Sequence, residues 1–377
     1  MEATWKEIKY NVFDWLRFPL VLLVVFLHCK GKPEDMQIDW VDFGLMDIYN
    51  ILRIYISCII SGVAVLLFFT ISGYLFYNRV IVFSFRTYIN KIERRLKTLL
   101  VPYVFWIFLY MAGNVILIIH GSNGVSAWDV VKSYIVEHRY WHIFWDCWSP
   151  EILKYPPIGF LQDNSAPLLI PMWFVRDLFV VSLLSPILWF GVKKADVIFV
   201  LVLGACFILK LWPCIHGVSI QSFFFFSLGI LLSKHEELMD VFFHRCGGAL
   251  ILISFLLSFY LVYLFNLKFL YYDYIYSCFT IVFCLSVLYL SYICVQRKWA
   301  LVFLKLAMAS FVIYASHTVF ISKYIGNFVD RLGGDSCAYL FLAYLLVPIM
   351  TSCVCCLIYF VVRKYFPSLL LLLSGGR

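Results

Sequence analysis

The 377-residue chain is 63% apolar or aromatic and only 14% charged, with a formal net charge of +8. About a quarter of the residues of a soluble domain are charged, so a chain this long with half that share lacks the material for a polar surface. A soluble fold is excluded, and the positive balance reads as the loop bias of a membrane protein rather than as a nucleic-acid surface. The longest polar stretch, about 120 to 171, is itself rich in Trp, Tyr and Ile, so no sizeable soluble domain is hidden in the chain. Most of the 13 cysteines lie in apolar runs, where they act as small packing residues. Cys353 and Cys356 form a CxxC with neither a His nor a second pair beside it.

A membrane span needs about 20 largely apolar residues. In chain order, spans are predicted near 11–28, 54–77, 100–119, 172–191, 196–210, 217–233, 248–266, 271–295, 301–322 and 338–362. The expectation is an all-α polytopic bundle of about ten transmembrane helices, one more or fewer. The first span carries Asp14 and Arg17 in its core and runs into His28, Cys29 and Lys30, so it does not read as a cleaved signal peptide. With no internal repeat or flexible linker, residues 1–377 form a single domain.

Basic residues orient the bundle. The connector 78–99 holds Arg79, Arg86, Lys91, Arg94, Arg95 and Lys97, whereas the much longer 120–171 holds Lys132, Arg139 and Lys154. By the positive-inside rule the first is cytoplasmic and the second faces outward. Lys6 and Lys9, Lys193 and Lys194, Arg297 and Lys298, and Arg363 and Lys364 then fall inside, with both termini cytoplasmic.

Ionisable groups inside a span are costly and mark function by default. Arg17 and His28 are eleven helical steps apart, which turns through roughly 1100° and returns both side chains to one face about 16 Å apart. Arg17 lies toward the cytoplasm and His28 toward the outer half. The structural alternative is an arginine that snorkels and a histidine that ends the helix. His138, His142 and Asp146 would form one metal-binding face on a helix, but nothing in the segment dictates a helix, and no metal is expected. The tryptophans around them, Trp128, Trp141, Trp145 and Trp148, read as interfacial anchors, one or two of which could stack on a sugar.

The stretch from Asp14-Trp15-Leu16-Arg17 to His28 resembles the Arg-x10-His signature of the acyltransferase-3 family of integral membrane O-acyltransferases. Phe69-Thr70-Ile71-Ser72-Gly73-Tyr74-Leu75 is similar to its Phe-x-x-Ser-Gly-Tyr element. Arg94-Arg95-Leu96-Lys97 leading to Pro102-Tyr103 resembles the basic run opening its third helix. Trp173-Phe174-Val175-Arg176-Asp177-Leu178 resembles its Trp-Phe-Leu-Arg-Asp-Leu element, and Tyr314 with His317 its late Tyr-x-x-His. These elements occur in order across about residues 11 to 365. One departure stands out: at the family's Arg-x-x-Arg spacing, Arg95 is followed by Thr98 and Arg94 by Lys97, and a lysine lacks the bidentate fork of arginine.

The resemblance implies transfer of an acyl group, commonly acetyl, from cytoplasmic acyl-CoA to a hydroxyl of an envelope glycan or lipid-linked sugar. It implies a multi-pass protein of the bacterial cytoplasmic membrane. His28 and Arg17 would be catalytic. Arg94, Arg95, Lys97, Ser72, Gly73 and Tyr74 would bind the donor. Trp173, Arg176, Asp177 and His317 would contact acceptor or tie the structure. Acyl-CoA is a co-substrate, with no tightly bound cofactor. The expected partners are lipid, donor and glycan, a second copy of the chain is compatible, and nucleic acid is not expected. The competing class is a transporter or flippase for a glycan or lipid, whose inverted repeat and matched helix breaks are not seen.

Overall fold

The structure, a computed structural model, describes residues 4–29, 36–78, 80, 82–121, 126–148, 153–155, 160–162, 165–333 and 336–376. Lys30 and Arg79 lie outside them. Apolar runs with few charges leave the backbone no partner in lipid but itself, so the chain folds as helices. These are α1 (Trp5–His28), α2 (Leu45–Tyr77), α3 (Phe85–Gly121), α4 (Ala127–Glu137), α5 (Trp173–Leu209), α6 (Ile220–Lys234), α7 (Glu236–Asn266), α8 (Tyr272–Gln296), α9 (Val302–Val319), α10 (Ser322–Leu332), α11 (Cys337–Tyr365) and α12 (Pro367–Ser374). Strands β1 (Leu153–Tyr155) and β2 (Phe160–Gln162) make one short antiparallel hairpin in the long loop. Among the described residues, seven helices are long and apolar enough to cross a membrane: α1, α2, α3, α7, α8, α9 and α11.

The fourth and fifth predicted spans share α5. At Asp196 the backbone leaves helical geometry (φ 50°, ψ −126°). A Cβ on Gly191 would lie 2.6 Å from the Phe199 ring, although eight residues along a straight helix are about 12 Å apart. The chain therefore doubles back at Asp196. Lys234 and His235 close the corner, 3.0 and 2.8 Å from its carboxylate.

The tightest packing joins α2 to α6. A Cβ on Gly73 would sit 2.0 Å from the Phe226 carbonyl oxygen, and one on Gly229 2.0 Å from that of Thr70. Small residues on both helices let the backbones touch, the usual source of helix association where lipid supplies no hydrophobic drive. Gly73→Ala is therefore expected to force the pair apart and to destabilise the bundle by about 1–3 kcal/mol. Detergent-solubilised variant should show a lower melting temperature; an unchanged one would contradict this contact.

The basic connector, the first turns of α1 and the C-terminal α12 meet at one end of the bundle. Asn78 donates to the Tyr10 hydroxyl (2.9 Å), and Gly375 packs on the Thr98 backbone. At this end Lys9 is fully buried and paired with Glu236. Glu236 also accepts from Tyr74 (3.0 Å), whose own hydroxyl accepts from the Trp5 indole (3.1 Å). Described parts of the long loop, residues 126–148 and 165–171, pack at the other end, where Trp145 and Ser165 meet Arg176.

Candidate active site

Among the described residues, three helices widen into π-helical turns, at Ile54–Ile60, Leu96–Leu100 and His317–Ile321. Such widenings often mark functional sites, and two of these flank or carry the ionisable residues singled out by the sequence. Arg95 directly precedes the second, and His317 opens the third.

Arg95 lines a cavity of about 470 Å³ together with Arg17, Ser72, Thr98, Phe174 and Tyr314. That volume is in the range of small-molecule sites. The Arg95 guanidinium donates to Ser72 Oγ at 2.7 Å and lies over the Phe76 ring at 5.5 Å. Arg17 is ion-paired with Asp14 one turn earlier (2.9 Å) and is 40% exposed, so it keeps access to the cavity. Two guanidinium groups from different helices thus share one apolar-walled space, an arrangement suited to phosphate or carboxylate.

The basic cluster divides. Arg94 and Lys97 are exposed and do not line the cavity, whereas Arg95 does. Of the Ser72-Gly73-Tyr74 element only Ser72 reaches it; Gly73 faces α6, and Tyr74 is buried in the Lys9–Glu236 network.

Tyr314 forms one wall of the cavity. Its hydroxyl donates to the Pro171 carbonyl, and its ring meets Phe174 edge-on at 5.9 Å between centres. One turn further on lies His317, fully buried. Its Nδ1 is 2.8 Å from the Tyr314 carbonyl oxygen, which can only accept, so Nδ1 carries the proton and Nε2 the lone pair. That Nε2 has no hydrogen-bond partner among the described residues. The His28 ring lies 5.1 Å away, centre to centre. His28 ends α1 and is exposed. The structure therefore joins the two intramembrane histidines of the sequence, 289 positions apart, as one pair with an open and a closed member. Neither lines the cavity; they lie beyond its Tyr314 wall.

A family model described as an acyltransferase domain matches residues 10–360. The chain belongs to the acyltransferase-3 family. It is an integral membrane protein. It is also similar to the succinoglycan biosynthesis protein ExoH of Rhizobium meliloti (strain 1021), at 24% identity over 227 residues, 58% of this chain and 53% of that protein. The chain thus spans about half the length of the curated relative it matches. No solved structure matches it.

Further polar residues of this acyltransferase-3 family member build a second cluster at the opposite end from the basic connector. Arg176 and Asp177 are buried and paired (2.9 Å). Arg176 also donates to Ser165 Oγ (3.1 Å), to the Ser165 carbonyl (3.0 Å) and to the Trp145 carbonyl, while Asp177 accepts from Ser219 (2.6 Å). These two residues fasten the long loop and the α5–α6 connection to the bundle. Trp173, half-buried, packs near Phe69 at 6.5 Å.

His138, His142 and Asp146 do not form a helical face, because α4 stops at Glu137 and Arg139 and Tyr140 both take positive φ. His138 turns back to the Tyr134 carbonyl (2.8 Å). His142 Nδ1 instead meets Asp146 at 2.5 Å, and His216, from the α5–α6 connection, meets its other oxygen at 2.7 Å. Burial pushes the Asp146 carboxyl up, but hydrogen bonds from both imidazoles outweigh it and hold the group below its ordinary value. Among the described residues, no three His, Cys, Asp or Glu side chains are placed to hold a metal. Nothing in the local spacing signals His216, 70 positions from its partner.

Proposed function

We propose that the protein transfers an acyl group, acetyl in the first instance, from cytoplasmic acyl-CoA to a hydroxyl of an envelope polysaccharide or its lipid-linked precursor. The bacterial cytoplasmic membrane would be its site of action. The observation that carries this is the cavity with two guanidinium groups, closed by Tyr314, one turn from His317 and its neighbour His28. A relative named for succinoglycan biosynthesis supports a glycan acceptor.

In this reading the basic connector faces the cytoplasm with both termini, and the CoA phosphates meet Arg95 and Arg17. The pantetheine arm lies along the apolar wall toward Tyr314. The acceptor hydroxyl approaches His28 from the outer half. A thioester is already activated, so a base and correct placement suffice. The hydroxyl oxygen attacks the thioester carbonyl carbon while an imidazole takes its proton. The tetrahedral species then expels the sulfur, the C–S bond breaks, and the proton passes to the departing thiolate. His28 is the base because it is the exposed member of the pair, and His317 holds it in place.

The test is purified protein with labelled acetyl-CoA and polysaccharide from cells lacking the gene. Label should appear on the glycan in a hydroxylamine-labile ester. Intact acetyl-CoA after incubation would refute the proposal.

A further inference from the structure

A second cavity, of about 310 Å³, lies at the end of the bundle that carries the basic connector, between the ends of α2, α6 and the first arm of α5. Tyr77, Trp189 and Ile230 give it apolar walls, and Lys193, Lys234 and Ser233 supply its polar groups. The connector packs around it: the Phe83 ring lies 5.6 Å from that of Trp189, and the Lys91 ammonium 5.5 Å from the centre of the Tyr77 ring. This cavity shares no lining residue with the one that holds Arg95 and Arg17.

Each polar group has a hydrogen left to donate. Lys193 is exposed, has no carboxylate partner among the described residues and holds its ammonium 4.8 Å from the Trp189 ring centre. Lys234 gives one N–H to Asp196 at 3.0 Å and one to the Val192 carbonyl at 3.3 Å, which leaves the third of an ammonium's three. Ser233 is nine-tenths buried, and its hydroxyl bonds to nothing among the described residues. Asp196 offsets one of the two lysines, and the charge of the other stands uncompensated at the mouth. The site therefore attracts an anion.

Phosphate fits such a set, because its oxygens accept from several donors at once and its charge meets the lysine that has no counter-ion. The walls decide what the phosphate is attached to. Ile187 and Phe190, on the same arm of α5, are apolar and exposed, so a chain leaving the cavity continues over a surface made for lipid. A free phosphate would gain nothing from those walls. Basic pockets between membrane helices hold phospholipid headgroups for these reasons. We propose that this cavity binds an anionic glycerophospholipid, its phosphate on Lys193, Lys234 and Ser233 and its glycerol against Trp189 and Tyr77. The site is independent of the acyl-transfer reading.

Native mass spectrometry of the full-length protein in detergent, titrated with dioleoyl phosphatidylglycerol, reads the binding directly. The wild type should retain this lipid in preference to dioleoyl phosphatidylcholine. Lys193→Gln should weaken retention about tenfold or more, the scale of one lost charge-assisted hydrogen bond. Ser233→Ala should weaken it by about threefold or more, and Lys193→Arg should keep most of it. Lys194→Gln removes the same charge one position along, outside the cavity lining, and should change little. Both lysines are exposed, so these variants should melt like the wild type. Equal losses from Lys193→Gln and Lys194→Gln would mean a diffuse attraction of acidic lipid to a basic face, and that result overturns the proposal. Equal retention of phosphatidylcholine overturns it as well. Inorganic phosphate or CoA that displaces the lipid at a comparable concentration would make phosphate alone, or the nucleotide of the donor, the occupant in place of lipid.

Discussion

His28→Ala should lower the rate of acyl transfer by about 10²–10⁴-fold, the usual cost of removing a general base, while the variant inserts and melts like the wild type. The second half follows from its position: His28 is exposed at the last residue of α1 and fills no core space. His317→Ala should also cut the rate, but it differs in kind. His317 is fully buried and bonded to its own helix through Nδ1, so its removal leaves a cavity and lowers stability as well. Rate measurements at saturating donor and acceptor, set beside melting curves, separate the two. Near-normal turnover by His28→Ala would remove it from the chemistry, and His317 would become the candidate base.

Arg95→Gln should raise KM for acyl-CoA by roughly tenfold to a hundredfold, the equivalent of one charge-assisted hydrogen bond at about 1.5–3 kcal/mol. The acceptor KM should change little. Arg95 lines the cavity and meets Ser72 at 2.7 Å, whereas Arg94 and Lys97 are exposed outside it. Arg94→Gln and Lys97→Gln should therefore act weakly, through general attraction of phosphate to this face. Arg95→Lys keeps a charge but loses the fork, so its KM should lie between wild type and Arg95→Gln. Equal effects at all three positions would mean that the cluster acts as a diffuse basic patch.

The helical architecture was legible because lipid forces it: apolar runs of span length have no other fold. The corner at Asp196 was also legible, as a break between the fourth span and a short fifth one, although α5 reads through it without a loop. The shared face of Arg17 and His28 follows from helix periodicity alone. Periodicity is silent about contacts between helices, so it could not pair His28 with His317 or separate Arg95 from its basic neighbours. The geometry of the outer cluster was out of reach for the same reason. The His138–His142–Asp146 spacing would make one face only on a helix, which nothing in the segment dictates; two left-handed residues follow the end of α4, and the third member comes from another connection.

The most direct test of the central claim uses proteoliposomes with polysaccharide enclosed and labelled acetyl-CoA supplied only outside. Protein oriented with its basic connector outward, established by labelling an engineered cysteine at Lys91, should place esterified label on the enclosed glycan. His28→Ala should abolish that label. Enclosed glycan that stays unlabelled while it crosses the bilayer unmodified would contradict acyl transfer and favour a transporter.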